Sequence, residues 1–254
     1  MRPPHQSVRV VTYNIHKCRG LDRRVRPDRI VDILGEINAD IVALQEVLSV
    51  EGRNREADQA RFIAEELGLD FAFGETRRLN GGRYGNVILT RFPIHIHRNY
   101  DITAMGREPR GCLRTDIQVN RNMLHVFNVH LGTALLEHRA QARRLFDERI
   151  VNHEELCGAR IVLGDFNEWL RGPLSRTLRS QLEWADIRHH LRRSRTYPGV
   201  LPFLHLDHIY FDPALTLERL HLHRKRKAVI ASDHLPLVAD FRIEASAPFA
   251  IGSR

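Results

Sequence analysis

A carboxylate, an amide or a histidine closes one apolar run after another in this chain. The segments are Tyr13-Asn14-Ile15-His16, Gln45-Glu46, Asn128-Val129-His130, Gly164-Asp165-Phe166-Asn167, Leu206-Asp207-His208-Ile209 and Ser232-Asp233-His234. Tyr84-Gly85-Asn86 is a weaker member of the set. Apolar runs of this kind read as buried strands, and polar residues at their ends sit where a rigid scaffold can hold a metal and a phosphate. Carboxylate oxygens suit magnesium, which keeps several waters and so needs only a sparse protein shell. Manganese accepts the same ligands. A hard cation, a held water and an oriented imidazole together support hydrolysis of a phosphate ester. Zinc fits less well: His130 and His234 lack compact ligand spacing, and Cys18, Cys112 and Cys157 form no C-x-x-C pair. An odd, scattered set of cysteines is also no disulfide framework.

The elements that must position these residues follow from periodicity. Val8 to Tyr13 reads as a strand that delivers Asn14, and Pro27-Asp28 opens a helix with Ile30, Ile33, Leu34 and Ile37 on one face. Ile41 to Leu44 is a short apolar strand ending at Gln45-Glu46, and residues 57–67 form a second helix. The pattern then changes to strands at 69–74, 86–91, 93–99, 111–119 and 122–130, with Asn120-Arg121-Asn122 as a hairpin connection. A long amphipathic helix is expected from Leu135 to His153. Core strands follow at Ile161 to Leu163, Leu206 to Phe211 and Leu235 to Phe241, and residues 245–254 read as a frayed tail. Helices among so many hairpins argue for two packed sheets with helices outside them.

From about Val8 to Phe241 the ordered motifs resemble the endonuclease/exonuclease/phosphatase superfamily. That superfamily includes pancreatic-type DNases, exonuclease III-like abasic endonucleases, inositol polyphosphate phosphatases and neutral sphingomyelinases. The Asn-Ile-His-Lys opening and the small size are most similar to its compact bacterial members. The resemblance implies an α+β fold, the four-layered αββα sandwich of DNase I-like proteins, with a divalent metal at one edge. It also implies roles for named residues. Glu46 is the main metal-binding carboxylate, Asn14 binds metal or phosphate, and Asp233 is a further metal candidate. Asp165 and Asn167 stand near the attacking water, Asp207 orients His234, and His130 contacts or protonates the phosphate. Either Asp165 or His234 can be the base at this stage. Asn86 and Arg110 join Asn14, His130 and Asn167 as substrate-binding candidates. His16 replaces an acidic residue found in some members, and His208 is expected to point to the opposite sheet face. Trp169 reads as core, and Tyr197-Pro198 as a loop-shaping pair.

The 254 residues suit one domain, with its core over about 8–243. No apolar run is long enough for a membrane span, and the N-terminus lacks the apolar stretch of a signal peptide, so a cytoplasmic monomer is expected. Lysine and arginine number 39 against 31 acids, a formal charge of +8 that favours anionic partners. Two basic stretches, Arg192-Arg193-Ser194-Arg195 and His221 to Lys227, would either track a DNA or RNA backbone or meet lipid headgroups. The expected activity is therefore a magnesium-dependent phosphodiesterase, with nuclease action slightly preferred. A phospholipid phosphodiesterase, a phosphomonoesterase and a non-catalytic basic module are the alternatives.

Overall fold

The structure is a computed structural model that describes residues 6–147, 150–153, 156–168, 173–184, 196–197 and 204–243. Its first sheet contains β1 (Gln6–Asn14), β2 (Ile41–Ser49), β3 (Asp70–Leu79), β4 (Gly82–Thr90), β11 (Leu215–Leu222) and β12 (Leu237–Ile243). The second contains β5 (Ile94–Asp101), β6 (Gly111–Val119), β7 (Asn122–His130), β8 (Ala159–Asp165), β9 (Glu183–Trp184) and β10 (Asp207–Phe211). Strand order is β11-β12-β1-β2-β4-β3 in one sheet and β5-β6-β7-β8-β10-β9 in the other. Each sheet has one parallel pair, β1 with β2 and β7 with β8, and the remaining pairings are antiparallel. A parallel pair needs a crossover, and helices supply it: α1 (Pro27–Ile37) lies between β1 and β2, and α3 (Leu135–Asp147) between β7 and β8.

Three apolar layers follow from strand alternation. Val8 and Val10 of β1 join Ile41, Ala43, Leu124, Val126, Ile161, Leu163 and Ile209 between the sheets. Val11 and Tyr13 face outward, onto Ile30, Ile33 and Leu34 of α1 and Phe62 and Ile63 of α2 (Gln59–Leu67). Phe127, Val129, Val162 and Tyr210 pack on Leu145 of α3 and Leu178 of α4 (Pro173–Gln181). The result is the αββα sandwich expected from the motifs.

Alternation also decides where the site forms. Asn14, Gln45, Asn86, Asn128, His130, Asp165 and Asp207 share strand parity with the inter-sheet core residues. The polar set is therefore the same inner face continued past the apolar layer. Amides tie the sheets together just beneath it. Asn128 donates across to the carbonyls of Leu44 and Val87, both at 2.9 Å, and accepts from Gln45 at 2.7 Å. Asn86 returns the tie by donating to the carbonyl oxygens of Gly111 at 3.0 Å and Asn128 at 3.3 Å.

Several boundaries differ from the sequence reading. The strands expected at 69–74 and 86–91 are longer and form a hairpin through Asn80-Gly81, whose φ values are 49° and 80°. Asn-Gly is a favoured pair for such a two-residue turn because both positions need positive φ. The helix expected to reach His153 is described over Leu135–Asp147, and residues 150–153 are not helical. Both α4 and α5 (Arg226–Ala231) escaped the periodicity reading, since α4 is rich in basic and polar residues and α5 has only six residues. Trp169, Arg192 to Arg195, Pro198 and the expected frayed tail lie outside the described residues.

Candidate active site

Asn14 leaves β1 and hands the chain to a strained turn. His16, Lys17 and Cys18 carry φ values of 46°, 58° and 55°. For residues with a Cβ this costs on the order of 1–3 kcal/mol each, and surrounding contacts must hold it. Cys18 is buried among core residues, and Gln59 donates to the Lys17 carbonyl at 2.7 Å. The strain has a product: the Lys17 ammonium reaches Glu46 Oε2 at 2.6 Å. Glu46 is itself re-aimed, because β2 has a register break against β4 between Leu44 and Val47 and Glu46 has a φ of 56°.

Asp165 stands where both sheets converge. Gly164 lets it get there: its φ is 143°, and a Cβ would collide with the Val129 carbonyl on the neighbouring strand. Asp165 Oδ2 accepts from Asn14 Nδ2 at 3.0 Å, and Asn14 also donates to Glu46 Oε1 at 3.2 Å. The same Oδ2 lies 3.6 Å from His234 Nε2 and 3.7 Å from His130 Nε2. Asp165 Oδ1 accepts the Asn167 backbone N–H at 3.0 Å, and the Asn167 amide donates to the Leu131 carbonyl at 3.0 Å. Asp207 Oδ2 sits 3.0 Å from His234 Nδ1. Its other oxygen is buried without a hydrogen-bond partner. Arg110 Nη1 lies 3.1 Å from both ring nitrogens of His130.

The charges sort by environment. Burial opposes the Glu46 charge, but His130 and Lys17 outweigh it and hold the carboxyl down at about 2. Burial also opposes the His234 charge, yet Asp207 and Asp165 raise its imidazole to about 10. His130 moves the other way, down to about 4, through burial and the Arg110 charge. Burial pushes Asp165 up against the pull of His234 and His130. These directions favour an ionised Glu46, a cationic His234 and a neutral His130. The Cys18 thiol is pushed up by burial and is no nucleophile.

Most residues expected at the site meet there, but some take other work. Asn86 lines the cleft beside Glu46 and His130, yet its amide donors serve the sheet-to-sheet tie. Asn14 turns its NH2 towards the two carboxylates, and its oxygen accepts the His16 N–H at 3.0 Å. It joins Glu46 to Asp165 in this arrangement. Asp233 stands at the rim, 3.6 Å from His16 Nδ1 and 3.3 Å from the Ser232 hydroxyl. His208 points to the outer face as expected, with its ring 5.3 Å from Phe166. Lys17 was missed as a site residue, although it stands in the Asn-Ile-His-Lys opening. Ser232 and Thr196 were missed as supports: Ser232 donates to the Asn14 carbonyl at 2.8 Å, and Thr196 receives Leu206 N–H at 3.3 Å. Tyr197 lays its ring 4.9 Å from that of His234.

Among the described residues, no three His, Cys, Asp or Glu side chains group as a metal cage. The donor set still fits a hard cation that keeps its waters. Glu46 is ionised, its side chain is 20% exposed, and a cation already rests on it in the form of Lys17. No helix among the described residues is long and apolar enough to cross a membrane.

Comparison with known proteins agrees with this fold. A curated relative, the uncharacterized protein YbhP of Escherichia coli K12, is 32% identical over 249 residues, 93% of this chain and 97% of its own. An endonuclease/exonuclease/phosphatase family protein from Bacteroides thetaiotaomicron superposes with a TM-score of 0.78 at 16% identity, covering 96% of this chain and 98% of that one. A protein of the same description from Beutenbergia cavernae gives 0.74 at 22% identity, covering 94% and 72%. The family model for the Endonuclease/Exonuclease/phosphatase family matches residues 11–234, from the inner strand before Asn14 to His234 itself. The chain belongs to the Endonuclease/Exonuclease/phosphatase family and, with it, to the phosphoester hydrolases.

Proposed function

We propose that the protein is a phosphodiesterase that requires magnesium, or manganese in its place, and cleaves by direct attack of water. The observation that carries this reading is the convergence on Asp165 Oδ2 of Asn14, His130 and His234, with Asn14 bridging to Glu46. Glu46 is the principal holder of the cation, with Asn14 and Asp233 as the other candidates. When bound, the cation neutralises phosphate charge and stabilises the leaving oxygen. Asp165, its second oxygen fixed by the Asn167 N–H, aligns the attacking water and takes its proton at Oδ2. His234 acts as the cation: Asp207 holds Nδ1, so Nε2–H is free to donate to a phosphate oxygen as charge builds there. His130 and Arg110 bind the non-bridging oxygens from the opposite side. No covalent enzyme intermediate is required.

Nucleic acid is the first substrate reading, on the +8 charge. The second, a phospholipid diester, is favoured by two observations. The stretch from His221 to Lys227 is partly neutralised, since Lys225 pairs with Glu36 at 3.1 Å and Lys227 with Asp32 at 2.8 Å. Exposed Leu21, Met105, Leu135 and Leu136 lie on the segments that lead to or from Asn14, Arg110 and His130. Turnover of supercoiled DNA, single-stranded DNA, RNA, phospholipid vesicles and small phosphate esters, with magnesium, manganese or EDTA, decides between them. We expect metal-dependent cleavage of at least one diester, lost in Asp165→Ala. Cleavage of monoesters alone would sink the diesterase reading, and no metal-dependent turnover would sink the whole mechanism.

A further inference from the structure

Beside the proposed phosphate site, two arginines from different elements share one surface carboxylate. Glu108 Oε1 lies 2.7 Å from Arg77 Nη2, and its Oε2 lies 2.7 Å from Arg110 Nη2. Arg77 comes from β3, and Glu108 and Arg110 from the segment that joins β5 to β6, Arg110 standing directly before β6. One oxygen on each guanidinium is how a phosphate or carboxylate of a ligand would bridge the pair.

Each of the two arginines rests on a ring of the site. The Arg110 side chain is 9% exposed and packs on the His130 ring nitrogens at 3.1 Å. The Arg77 guanidinium lies 4.9 Å from the centre of the buried Tyr84 ring. Glu108 is 39% exposed, close to the 34% of Arg77, and sits just after a turn in which Met105 and Gly106 have φ values of 56° and 64°. Both guanidiniums also keep a buried Nε–H without a hydrogen-bond partner, so a carboxylate leaves donors over. The cleft of the proposed site is lined by Glu46, Tyr84, Asn86, Arg110 and His130, so Arg110 joins the pair to that site, with Arg77 and Glu108 standing beside its lining.

We infer that Arg77 and Arg110 form a second anion subsite, which Glu108 fills until a substrate's own anionic group displaces it. The inference rests on the phosphodiesterase reading and narrows its substrate. The preferred ester carries a further phosphate close to the scissile phosphate. A phosphate brings more charge and more acceptor oxygens than a tethered carboxylate, so the exchange favours the ligand. Glu108 then excludes neutral or weakly anionic groups from the pair.

The test is binding of inorganic phosphate in EDTA, followed by calorimetry, for wild type, Glu108→Gln, Glu108→Ser and Glu108→Gln combined with Arg77→Met. Melting curves check that each variant is folded, and two Glu108 variants guard against a single unstable one. We expect both single variants to bind phosphate about tenfold more tightly than wild type, a gain of about 1.4 kcal/mol. Arg77→Met should abolish the gain. Equal affinity in wild type and both Glu108 variants would overturn the inference, as would a gain that survives Arg77→Met. Because no turnover is read, a catalytically inactive protein would end the phosphodiesterase reading without altering this result.

Discussion

His234→Ala is expected to lower kcat by roughly 10³-fold, within the range typical for a positioned acid or base, and Asp207→Asn by less. His234 is buried between Asp207 at 3.0 Å and Asp165 at 3.6 Å. Alanine removes the imidazole that stands between these two buried carboxylates. Asp207→Asn keeps the shape and withdraws one of the two charges that raise the imidazole to about 10. The sign of the pH effect separates the two roles open to this residue. If His234 works as an imidazolium, activity falls as pH rises through its pKa, and in Asp207→Asn that fall moves to lower pH. If it were the general base, activity would climb through the same range and the climb would move down instead. A pH–rate profile of wild type and Asp207→Asn reads the difference.

A stability effect of comparable size is expected far from the chemistry. Arg114, Asp116 and His125 form a buried polar cluster on the outer face of the second sheet. Asp116 lies 2.6 Å from Arg114 Nη2 and 2.7 Å from His125 Nδ1, and the three side chains are about 5% exposed. Asp116→Ala leaves a buried guanidinium unpaired, which typically costs 3–5 kcal/mol, so about that loss should appear in denaturant unfolding. Burial opposes the Asp116 charge, but His125 and Arg114 outweigh it and lower its pKa below 3.8. A depressed carboxylate pKa contributes stability above the unfolded-state value and loses it as pH falls through the folded value. The gap between wild type and Asp116→Ala should therefore narrow below about pH 4. A gap that stays constant or widens on acidification would show that the pair is not the source.

Much of this arrangement was legible in the sequence, for a physical reason. Strand parity is local, so an apolar run that ends in Asn14, His130, Asp165 or Asp207 already states which face the polar residue continues. The order of such runs along the chain identified the fold. What stayed hidden depends on contacts between distant segments. Asn86 reads as a pocket residue in sequence, and its tie to the Gly111 and Asn128 carbonyls shows only in the fold. Lys17 looked like loop until a run of positive φ angles turned it onto Glu46. Arg77 and Glu108 are ordinary surface charges in sequence, and they gain meaning only where β3 meets the segment before β6. The missed Asn80-Gly81 turn is different: its signal was local and present.

The most direct test of the central claim is a magnesium titration of chelator-stripped protein, read as turnover of bis(p-nitrophenyl) phosphate in wild type and Glu46→Gln. Saturable recovery is expected in wild type. In Glu46→Gln the apparent metal affinity should be weaker by at least about tenfold, since loss of even an outer contact to a metal costs 10–100-fold. Turnover that survives stripping, or identical magnesium curves for the two proteins, would contradict the assignment of Glu46 and the metal-dependent mechanism built on it.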